Sequence, residues 1–387
     1  MKIAIITETF LPSTDGVVTR LTEAIKYLRK LNHDVVVIAP DLGVKEYKGA
    51  VVEGVKTTTM PFYRYRPFSL PQRKVKNLLE KHDPDLVHVV NPALVGATGV
   101  YYAEKLGYPL IASYHTHVPK YLDYYRLYRP LKPVFWSYFR KLHNKASLNL
   151  CTSQAIKDEL DEKDFYNVHV WKRGVDIEGY HPGFQSDKMR ERLSDGHPED
   201  KLLLFVGRLA IEKEIHKLKP LLEARDDVRL AIVGDGPARK ELEQVFSGTN
   251  TVFTGFMHGE ELAQAFASAD AFVFPSITET LGLVILESMA SGLPVIAAKS
   301  GPTMEQINHG KTGLLYENGN TDSMIKALEY LEDKDKLNEM KLNARQEAEK
   351  FSWTRPSKQL LDFYNETLRM TDRSEQLLME TREKTNE

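Results

Sequence analysis

Short apolar runs rich in β-branched residues alternate with amphipathic stretches along most of the chain. In the first half, strands are predicted at residues 3–6, 35–39, 86–90, 109–113 and 147–151. A helix is predicted over residues 17–31, because apolar side chains recur on one face at Leu21, Ala24, Ile25, Leu28 and Leu31. The strand runs are continuous rather than alternating, which is typical of strands buried on both faces. Strands that alternate with helices predict a parallel sheet with right-handed crossovers.

The alternation stops between residues 171 and 200, where glycine, proline and charged residues are concentrated, and this stretch is interpreted as a connector. It restarts with strands predicted at residues 202–206, 228–233, 252–253, 271–274, 295–297 and 313–316. Helices are predicted over residues 322–331, 337–350 and 355–370, and the polar tail 371–387 is either a frayed helix or disordered. The sequence therefore predicts two doubly wound α/β domains facing a cleft, residues 1–172 and 173–354. Ligands are expected beyond the carboxyl ends of the strands.

Composition limits which binding partners and which cellular compartment are expected. The net charge of −2 excludes a polyanion binder by bulk charge, so nucleic acid is not an expected partner. A single cysteine, Cys151, excludes an internal disulfide and favours a reducing compartment. We expect Cys151 to be a buried strand residue rather than a reactive thiol. Glu8 interrupts the first apolar run, and no run reaches the roughly 18 residues of a membrane span. A cytoplasmic protein is expected, with peripheral contact to the inner face of the cell membrane left open.

Two loops that follow predicted strands carry groups suited to phosphate. Gly207 and Arg208 follow the strand at 202–206, and Lys213 comes five residues later. Arginine grips phosphate with two parallel hydrogen bonds and lysine acts as a point charge, so a phosphate site is favoured over two solvated loop charges. The glycines at 234 and 236 follow the next strand, where a purely structural turn is at least as plausible as ligand contact.

The segment 275–287 follows the strand at 271–274 and opens a helix, with Gly282 placed in its first turn. Bare amides at a helix start bind phosphate, and glycine lets the phosphate approach. The carboxylates of Glu279 and Glu287 accept hydrogen bonds from hydroxyls, which suits a sugar and a ribose on either side of a diphosphate. The alternative is an ordinary amphipathic helix with one outward glutamate, which the apolar neighbours of Glu287 disfavour.

Two histidines and one glycine of the first half complete the candidates. His115 and His117 follow the strand at 109–113, and because no further ligands stand at metal spacing, a sugar contact or proton carrier is favoured over a metal site. A structural role for one of them stays open. Gly16 starts a helix after the first strand without the G-x-G-x-x-G fingerprint, which disfavours a nicotinamide enzyme. The acidic strings at 83–85 and 333–335 resemble turns, so neither a metal nor another cofactor is predicted.

Residues 126–145 hold six cations and no acidic residue: Arg126, Arg129, Lys132, Arg140, Lys141 and Lys145. Aromatic residues are interleaved: Tyr128, Phe135, Trp136, Tyr138 and Phe139. Such a stretch suits an anionic membrane surface, with His117, Arg140, Lys141 and Lys145 as candidate membrane or acceptor contacts. RNA is the competing ligand for such a patch. The structural alternative is a helix that buries its aromatic rings and exposes its cations to solvent.

Together these motifs resemble glycosyltransferase family 4, retaining enzymes of the GT-B architecture, over about residues 2–364. Glu279 and Glu287 resemble the family's E-x-x-x-x-x-x-x-E signature, and Gly207, Arg208 and Lys213 resemble its diphosphate clamp. Other matches are Gly16 (a phosphate-loop glycine), His115 (a cleft histidine) and the nucleobase segment Gly255, Phe256 and Met257. The strings at 113–119 and 276–284 are similar to those of sulfoquinovosyltransferases and diacylglycerol glycosyltransferases. The chain departs from the family at residues 301–302, where Gly-Pro replaces Gly-Gly, and at 15–16, where Asp-Gly replaces two glycines.

The resemblance implies retaining transfer of a hexosyl group from a nucleotide-sugar to an acceptor hydroxyl, without a metal. A UDP-sugar is the favoured donor, with GDP-mannose as the alternative, and a lipid such as diacylglycerol is the favoured acceptor. Glu279 and the amides of Gly282 and Leu283 would hold sugar and phosphates, while Arg208 and Lys213 stabilise the departing diphosphate. The helix at 355–387 is expected to cross back to the first domain. A soluble or polysaccharide acceptor, or a non-catalytic nucleotide-sugar binder, are the alternatives.

Overall fold

A computed structural model of the chain describes residues 1–60 and 63–385. The chain forms two compact units. The first comprises Met1–Lys172 and Trp353–Glu387, and the second comprises Arg173–Ser352. None of the described helices combines the length and the apolar character needed to cross a bilayer.

The first unit is built on a mostly parallel sheet. Its strands are β1 (Lys2–Thr7), β2 (Asp34–Pro40), β3 (Glu46–Tyr47), β4 (Ala50–Val55), β5 (Thr58–Met60), β6 (Tyr63–Phe68), β7 (Leu86–Val90), β8 (Leu110–Ser113), β9 (Leu148–Cys151) and β10 (Val168–Val170). Its helices in the first half of the chain are α1 (Gly16–Lys30), α2 (Lys74–His82), α3 (Val95–Leu106), α4 (Val118–Tyr121), α5 (Lys132–His143) and α6 (Gln154–Glu162). Eight of the described strands form one sheet in the order β10-β9-β8-β7-β1-β2-β4-β3, in which only β3 runs antiparallel.

Both faces of this sheet are buried, which explains the continuous apolar runs. Ile3 and Ile5 of β1 lie in one hydrophobic cluster, and Ala4 and Ile6 lie in the cluster on the opposite face. The C-terminal helix covers the first of these faces together with α1, contributing side chains that include Phe363. The returning C-terminal segment is therefore part of the core of this unit.

The second unit has an all-parallel sheet. Its elements are α7 (Asp187–Leu193), β11 (Lys201–Val206), α8 (Lys219–Glu223), β12 (Val228–Val233), α9 (Arg239–Val245), β13 (Thr251–Gly255), α10 (Gly259–Ser268), β14 (Ala271–Phe274), α11 (Leu283–Ala290), β15 (Val295–Ala298), α12 (Gly301–Met304), β16 (Gly313–Tyr316), α13 (Thr321–Tyr330) and α14 (Lys334–Ala348). The strand order is β13-β12-β11-β14-β15-β16, the 3-2-1-4-5-6 order of a doubly wound dinucleotide-type fold. The order reverses between β11 and β14, so this is the point where a ligand is expected.

The predicted fold class of two doubly wound α/β units is confirmed. Three details differ from the sequence-based expectation. Leu31 lies beyond the end of α1 and is exposed, and the connector contains α7. The last helix, α15 (Thr354–Thr385), continues through most of the polar tail. Of the two alternatives for that tail, a helix or disorder, the backbone up to Thr385 adopts the helix.

Candidate active site

The loops after β11 and β14 lie side by side at the switch point of the second sheet. Strand β11 ends at Val206 and β14 ends at Phe274. The first loop carries Arg208 and Lys213, and the second carries Glu279. The carboxyl ends of these neighbouring parallel strands therefore bring together two cations and one carboxylate that stand 66 to 71 positions apart in the sequence.

The loop after β11 is held rigidly by its neighbour after β12. Gly207 donates its N–H to the carbonyl of Val233, and Leu209 donates to the carbonyl of Asp235. A Cβ atom at Gly234 would overlap the carbonyl oxygen of Gly207, and one at Gly236 would overlap the backbone of Leu209. Close backbone packing thus explains the glycine pair at 234 and 236, which is the structural alternative for that turn.

Each cation of the site contacts a carboxylate. Lys213 Nζ forms an ion pair with Glu279 Oε1, and Arg208 forms one with the buried Glu212. The hydroxyl of Thr278 donates to the carbonyl of Glu212 at 3.1 Å, and the hydroxyl of Ser276 donates to the same oxygen at 3.4 Å. These bonds join the two loops, so the relative positions of both cations and Glu279 are fixed by the fold.

The two cations of this cluster lie close enough to influence each other's protonation. Burial and the neighbouring Arg208 hold the pKa of Lys213 below its ordinary range. Glu212 Oε2 is buried with no hydrogen-bond partner in the described part of the chain. A bound phosphate would compete for the two cations and relieve their mutual repulsion.

Helix α11 begins at Leu283. Gly282 is therefore not in the first turn but precedes the helix, with φ +68° in the left-handed region that favours glycine. The first-turn amides of a helix have no intrahelical acceptors. Leu283 and Val284, which follow Glu279 closely in the sequence, therefore present such N–H groups at the start of α11. Gln306, which the sequence analysis did not single out, donates to the carbonyl of Leu281 and supports this turn.

Glu287 lies on α11 and faces another acidic residue. Burial, with a smaller contribution from Asp176, raises the pKa of Glu287 to about 7. Burial together with these two acids also raises the pKa of Tyr180 far above its ordinary value. No hydrogen bond or ion pair of the Glu287 carboxylate occurs among the described residues. A ligand that supplies hydroxyl donors would satisfy it.

The segment at the end of β13 exposes one aromatic ring. Gly255 has φ +77° and accepts a hydrogen bond from the N–H of Gly234. Phe256 is 58% exposed and stacks against the ring of His258, whereas Met257 is buried in the core. Of the side chains of Phe256 and Met257, only that of Phe256 is exposed.

In the first unit, the two predicted histidines have different environments. The Asn91 carboxamide accepts the N–H groups of His115 and Thr116 at 2.7 and 3.0 Å, which fixes the loop after β8. His117 is 1% exposed, and its ring nitrogens lie 3.2 Å from the hydroxyl of Tyr114 and 2.9 Å from the carboxylate of Glu159. This geometry favours a structural role for His117 over contact with an acceptor.

Gly16 is the first residue of α1, and the start of this helix is already capped. The carboxylate of Asp15 accepts the N–H groups of Val17 and Val18, both at 3.1 Å. It also accepts a hydrogen bond from the hydroxyl of Thr9. A phosphate at this helix start would therefore have to displace Asp15 or bind beside it.

The basic segment 126–145 is less positive in space than in sequence. Acids from other segments form ion pairs with three of its six cations: Lys132 with Asp123, Arg140 with Asp164, and Lys145 with Glu104. The aromatic rings of Phe135, Trp136 and Phe139 pack in a cluster with Tyr114 and Cys151. The structural alternative therefore applies to the buried ring of Phe139, whereas Phe135 and Trp136 are only half-buried.

Other apolar side chains of the same segment are exposed. Leu127 is 81% and Val134 is 62% exposed, and Tyr128, Leu131 and Tyr138 are also exposed. An adjoining pocket of about 640 Å³ is lined by residues that include Arg129, Lys132, Arg140, Lys163 and Trp136. The segment thus presents a mixed apolar and cationic surface, which includes Tyr128 and Tyr138 of the predicted aromatic residues together with aliphatic side chains that the sequence analysis did not name.

The two acidic strings noted in the sequence have partners within the protein. Asp85 accepts the N–H of Lys2, and Asp333 caps α14. Among residues 1–60 and 63–385, the one three-residue group with metal-ligand spacing is His197, Glu199 and Asp200, which precedes β11 at the opposite edge of the sheet from the site. Cys151 is buried as expected, and burial raises the pKa of its thiol to about 12.

Comparison with protein families gives two matches that together span most of the chain. The model described as Glycosyltransferase Family 4 matches residues 14–178. The model described as Glycosyl transferases group 1 matches residues 187–350. The site residues at 207–287 fall within the second match.

Individual proteins are similar over most of their length. Sulfoquinovosyl transferase SQD2 of Arabidopsis thaliana is 38% identical over 347 residues, covering 87% of this chain and 68% of that protein. A GDP-mannose-dependent alpha-mannosyltransferase of Corynebacterium glutamicum is 33% identical, covering 96% and 91%. Alpha-monoglucosyldiacylglycerol synthase of Streptococcus pneumoniae is 28% identical, covering 82% and 75%.

Among solved structures, Anabaena Alr3699/HepE in complex with UDP-glucose superposes with a TM-score of 0.76. It covers 95% of this chain and all of that one, at 22% identity. At this identity the likeness concerns the fold of the chain.

Proposed function

The chain belongs to glycosyltransferase family 4, with the GT-B fold, and on that premise we propose that it transfers a hexosyl group from a nucleotide-sugar to an acceptor hydroxyl with retention of configuration. One observation carries the proposal: Arg208, Lys213 and Glu279 lie together at the switch point of the second sheet, just ahead of the bare amides of α11. A diphosphate needs cations and amide donors, and a sugar needs an acceptor for its hydroxyls.

The proposed chemistry needs no protein nucleophile. The bond between the anomeric carbon and the diphosphate oxygen breaks, and the acceptor oxygen forms its bond on the same face. The acceptor proton passes to an oxygen of the departing diphosphate. Arg208, Lys213 and the first amides of α11 stabilise the charge that develops on that group, and Glu279 accepts hydroxyls of the sugar. We propose that this set of cations and amides replaces a divalent metal.

The donor proposed first is a UDP-sugar, and GDP-mannose is the second candidate. Glu287, a carboxylate without a partner among the described residues, would accept the ribose hydroxyls. The exposed ring of Phe256 and the backbone beside it would contact the nucleobase. The two candidates rest on the UDP-glucose complex of one structural neighbour and on the GDP-mannose dependence of one relative.

The acceptor proposed is a lipid such as diacylglycerol, reached from an anionic membrane surface on the cytoplasmic side. One relative is named as a glucosyldiacylglycerol synthase. The first unit also exposes Leu127, Leu131 and Val134 within the same stretch as Arg126 and Lys141. Apolar side chains and cations on one short segment match the two components of reversible binding to an anionic bilayer.

The donor is tested by titration calorimetry with UDP-glucose, UDP-sulfoquinovose, GDP-mannose and ADP-glucose. Specific binding of one donor is expected, and its slow hydrolysis without acceptor would separate an enzyme from a non-catalytic binder. Transfer is then measured with diacylglycerol in vesicles and with soluble saccharides, and the product is identified by mass spectrometry. Binding of none of the four donors would contradict the proposed function, and transfer to saccharides alone would contradict the lipid acceptor.

The membrane surface is tested by co-sedimentation with vesicles of phosphatidylglycerol or phosphatidylcholine. Each cation near an anionic surface is worth about 1 kcal/mol, so loss of three cations corresponds to about a hundredfold, and replacing Arg126, Arg129 and Lys141 by Glu, which also adds repulsion, is expected to weaken binding by at least that factor. Exposed lysines of the second unit, Lys311, Lys326 and Lys334, replaced by Glu, are the matched control for net charge. Equal sedimentation of both triple variants would contradict binding through this segment.

A further inference from the structure

A buried series of hydrogen bonds in the first unit leads from the C-terminal helix to His115. The hydroxyl of Tyr364 lies 2.8 Å from His88 Nδ1, and His88 Nε2 lies 2.9 Å from Ser113 Oγ. Ser113 Oγ lies 3.0 Å from His115 Nε2. Tyr364, His88 and Ser113 have no exposed surface, and His115 is 9% exposed. These four residues are called the buried hydrogen-bond chain.

Its members come from separate elements that the fold brings together. Tyr364 lies on α15, His88 lies in the middle of β7, and Ser113 ends β8, two residues before His115. Residues 88 and 364 are 276 positions apart in the sequence. The buried hydrogen-bond chain therefore forms only when α15 is docked on the first sheet.

Both imidazoles are neutral in this environment. Burial, with a smaller contribution from Arg20, lowers the pKa of His88 to about 3 and also lowers the pKa of His115 well below its ordinary value. The guanidinium of Arg20 lies over the ring of Trp171, which in turn contacts the ring of His115 edge to face. His143 is a further group that lowers the pKa of His115. Each neutral ring has one N–H donor and one bare acceptor nitrogen.

The donors of the chain can then be assigned in order. Within the part of the chain that the structure describes, His88 Nδ1 is the sole hydrogen-bond partner of the Tyr364 hydroxyl, so the hydroxyl donates to it. His88 must then carry its proton on Nε2 and donate to Ser113. The Ser113 hydroxyl in turn donates to His115 Nε2, which leaves the proton of His115 on Nδ1.

Other assignments leave a buried hydroxyl proton without an acceptor. In the reverse order, His88 Nδ1–H would donate to Tyr364, whose own hydroxyl would have nowhere to donate. If both histidines donated to Ser113, the serine hydroxyl would likewise have no acceptor for its own proton. An unsatisfied buried donor is costly, because it has lost water without gaining a partner.

We propose, resting on the proposed function and on the sugar or acceptor contact that the sequence predicts for His115, that Tyr364, His88 and Ser113 are positioning residues that hold His115 in the neutral Nδ1–H tautomer. In this form His115 carries its proton on Nδ1, so that atom can act as a hydrogen-bond donor but does not take a proton. A donor of this kind suits an oxygen of the sugar or the acceptor. The assignment agrees with a reaction in which the departing diphosphate, and not His115, receives the acceptor proton.

The tautomer is tested by NMR on the full-length protein with ¹⁵N-labelled histidine at pH 7. Signals of the two rings are assigned from the His88→Asn and His115→Asn variants. We expect a pyrrole-type resonance for His115 Nδ1 and a pyridine-type resonance for Nε2, with the opposite pattern for His88. A proton on His115 Nε2, or two protons on the ring, would overturn the inference.

The positioning role is tested with Tyr364→Phe and Ser113→Ala. Each is expected to shift the histidine signals from the wild-type pattern and to lower kcat about two- to tenfold, the change typical of one lost neutral hydrogen bond, while KM for the donor changes less than twofold. The matched control is Tyr316→Phe, because Tyr316 is a buried tyrosine whose hydroxyl has no partner in the described structure.

Wild-type histidine signals and wild-type kcat in both variants would overturn the positioning role. Ser113→Ala keeps the packing of Tyr364, so it remains informative if Tyr364→Phe does not fold. Absence of transfer by the wild-type protein would contradict the proposed function, whereas the tautomer spectrum would still decide this inference.

Discussion

Glu287 offers a pH-dependent test of the nucleotide site. Its pKa is raised from the ordinary value of 4.5 to about 7 by burial and by Asp176. A carboxyl whose pKa is raised by folding favours the folded state fully below pH 4.5, and that contribution is lost as pH rises through 7. The difference of about 2.5 pKa units corresponds to about 3 kcal/mol. Above pH 7, Glu287→Gln should therefore make the ligand-free protein more stable.

Ligand binding should change in the opposite direction. If ribose hydroxyls donate to the ionised carboxylate, only the ionised fraction of Glu287 supports binding. That fraction is about a tenth at pH 6 and about nine-tenths at pH 8. The ratio of Kd for Glu287→Gln to Kd for wild type should therefore rise about tenfold between these two pH values. Taking the ratio cancels the titration of Lys213, which both proteins share.

The assay is calorimetry with whichever nucleotide-sugar binds, because its diphosphate diester does not titrate in this range. Thermal unfolding of both proteins at pH 5 and pH 8 is measured in parallel. Glu339→Gln, at an exposed position of α14, is the matched control and should change neither quantity. A Kd ratio that stays constant from pH 6 to pH 8 would refute the assignment of Glu287 to the ligand.

Three further predictions concern the rest of the site. Lys213→Ala and Arg208→Ala should each lower kcat by roughly a hundredfold, as for the loss of one preorganised donor, with unchanged circular dichroism; near-normal turnover of Lys213→Ala would contradict the clamp. Gly282→Ala and Gly248→Ala place alanine at φ +68° and +77°, at a cost of roughly 1–2 kcal/mol each. Gly248→Ala is the control, because a Cβ at Gly248 meets no atom within 4 Å. Only Gly282→Ala should weaken nucleotide-sugar binding. Activity in excess EDTA should stay within about fivefold of untreated enzyme if cations and amides carry the leaving group, and a complete loss restored by Mg²⁺ would contradict this.

The central strands were predictable because they are buried on both faces. Strands β7, β12 and β14, which lie inside their sheets, have the predicted bounds, and so does the edge strand β16, since each is a short apolar run flanked by turn residues. Strands β3 to β6 were not predicted: β3 has only two residues, β5 and β6 pair with each other outside the main sheet, and in β4 Glu53 and Gly54 interrupt the apolar run. A continuous apolar run therefore marks a buried strand, whether that strand lies inside the sheet or at its edge.

The sequence did not predict contacts between residues that are distant along the chain. Residues 126–145 contain no acid, yet Glu104 and Asp164 neutralise two of their cations from other elements. Strand ends and glycines indicate where Lys213 and Glu279 stand, but their direct ion pair depends on the order of strands in the folded sheet.

The return of α15 to the first unit has a consequence for synthesis of the protein. Leu360, Phe363 and Tyr364 fill one face of the first core, yet about 180 residues of the second unit separate them from Lys172. At a synthesis rate of roughly 5–20 residues per second, that face of the first sheet stays uncovered for about 10–40 s while the second unit is made. The second unit has no such delay, because all its strands are made in one stretch. Nascent chains stalled before residue 353 should therefore expose an apolar surface that chaperones bind, and release of the final helix should abolish that binding.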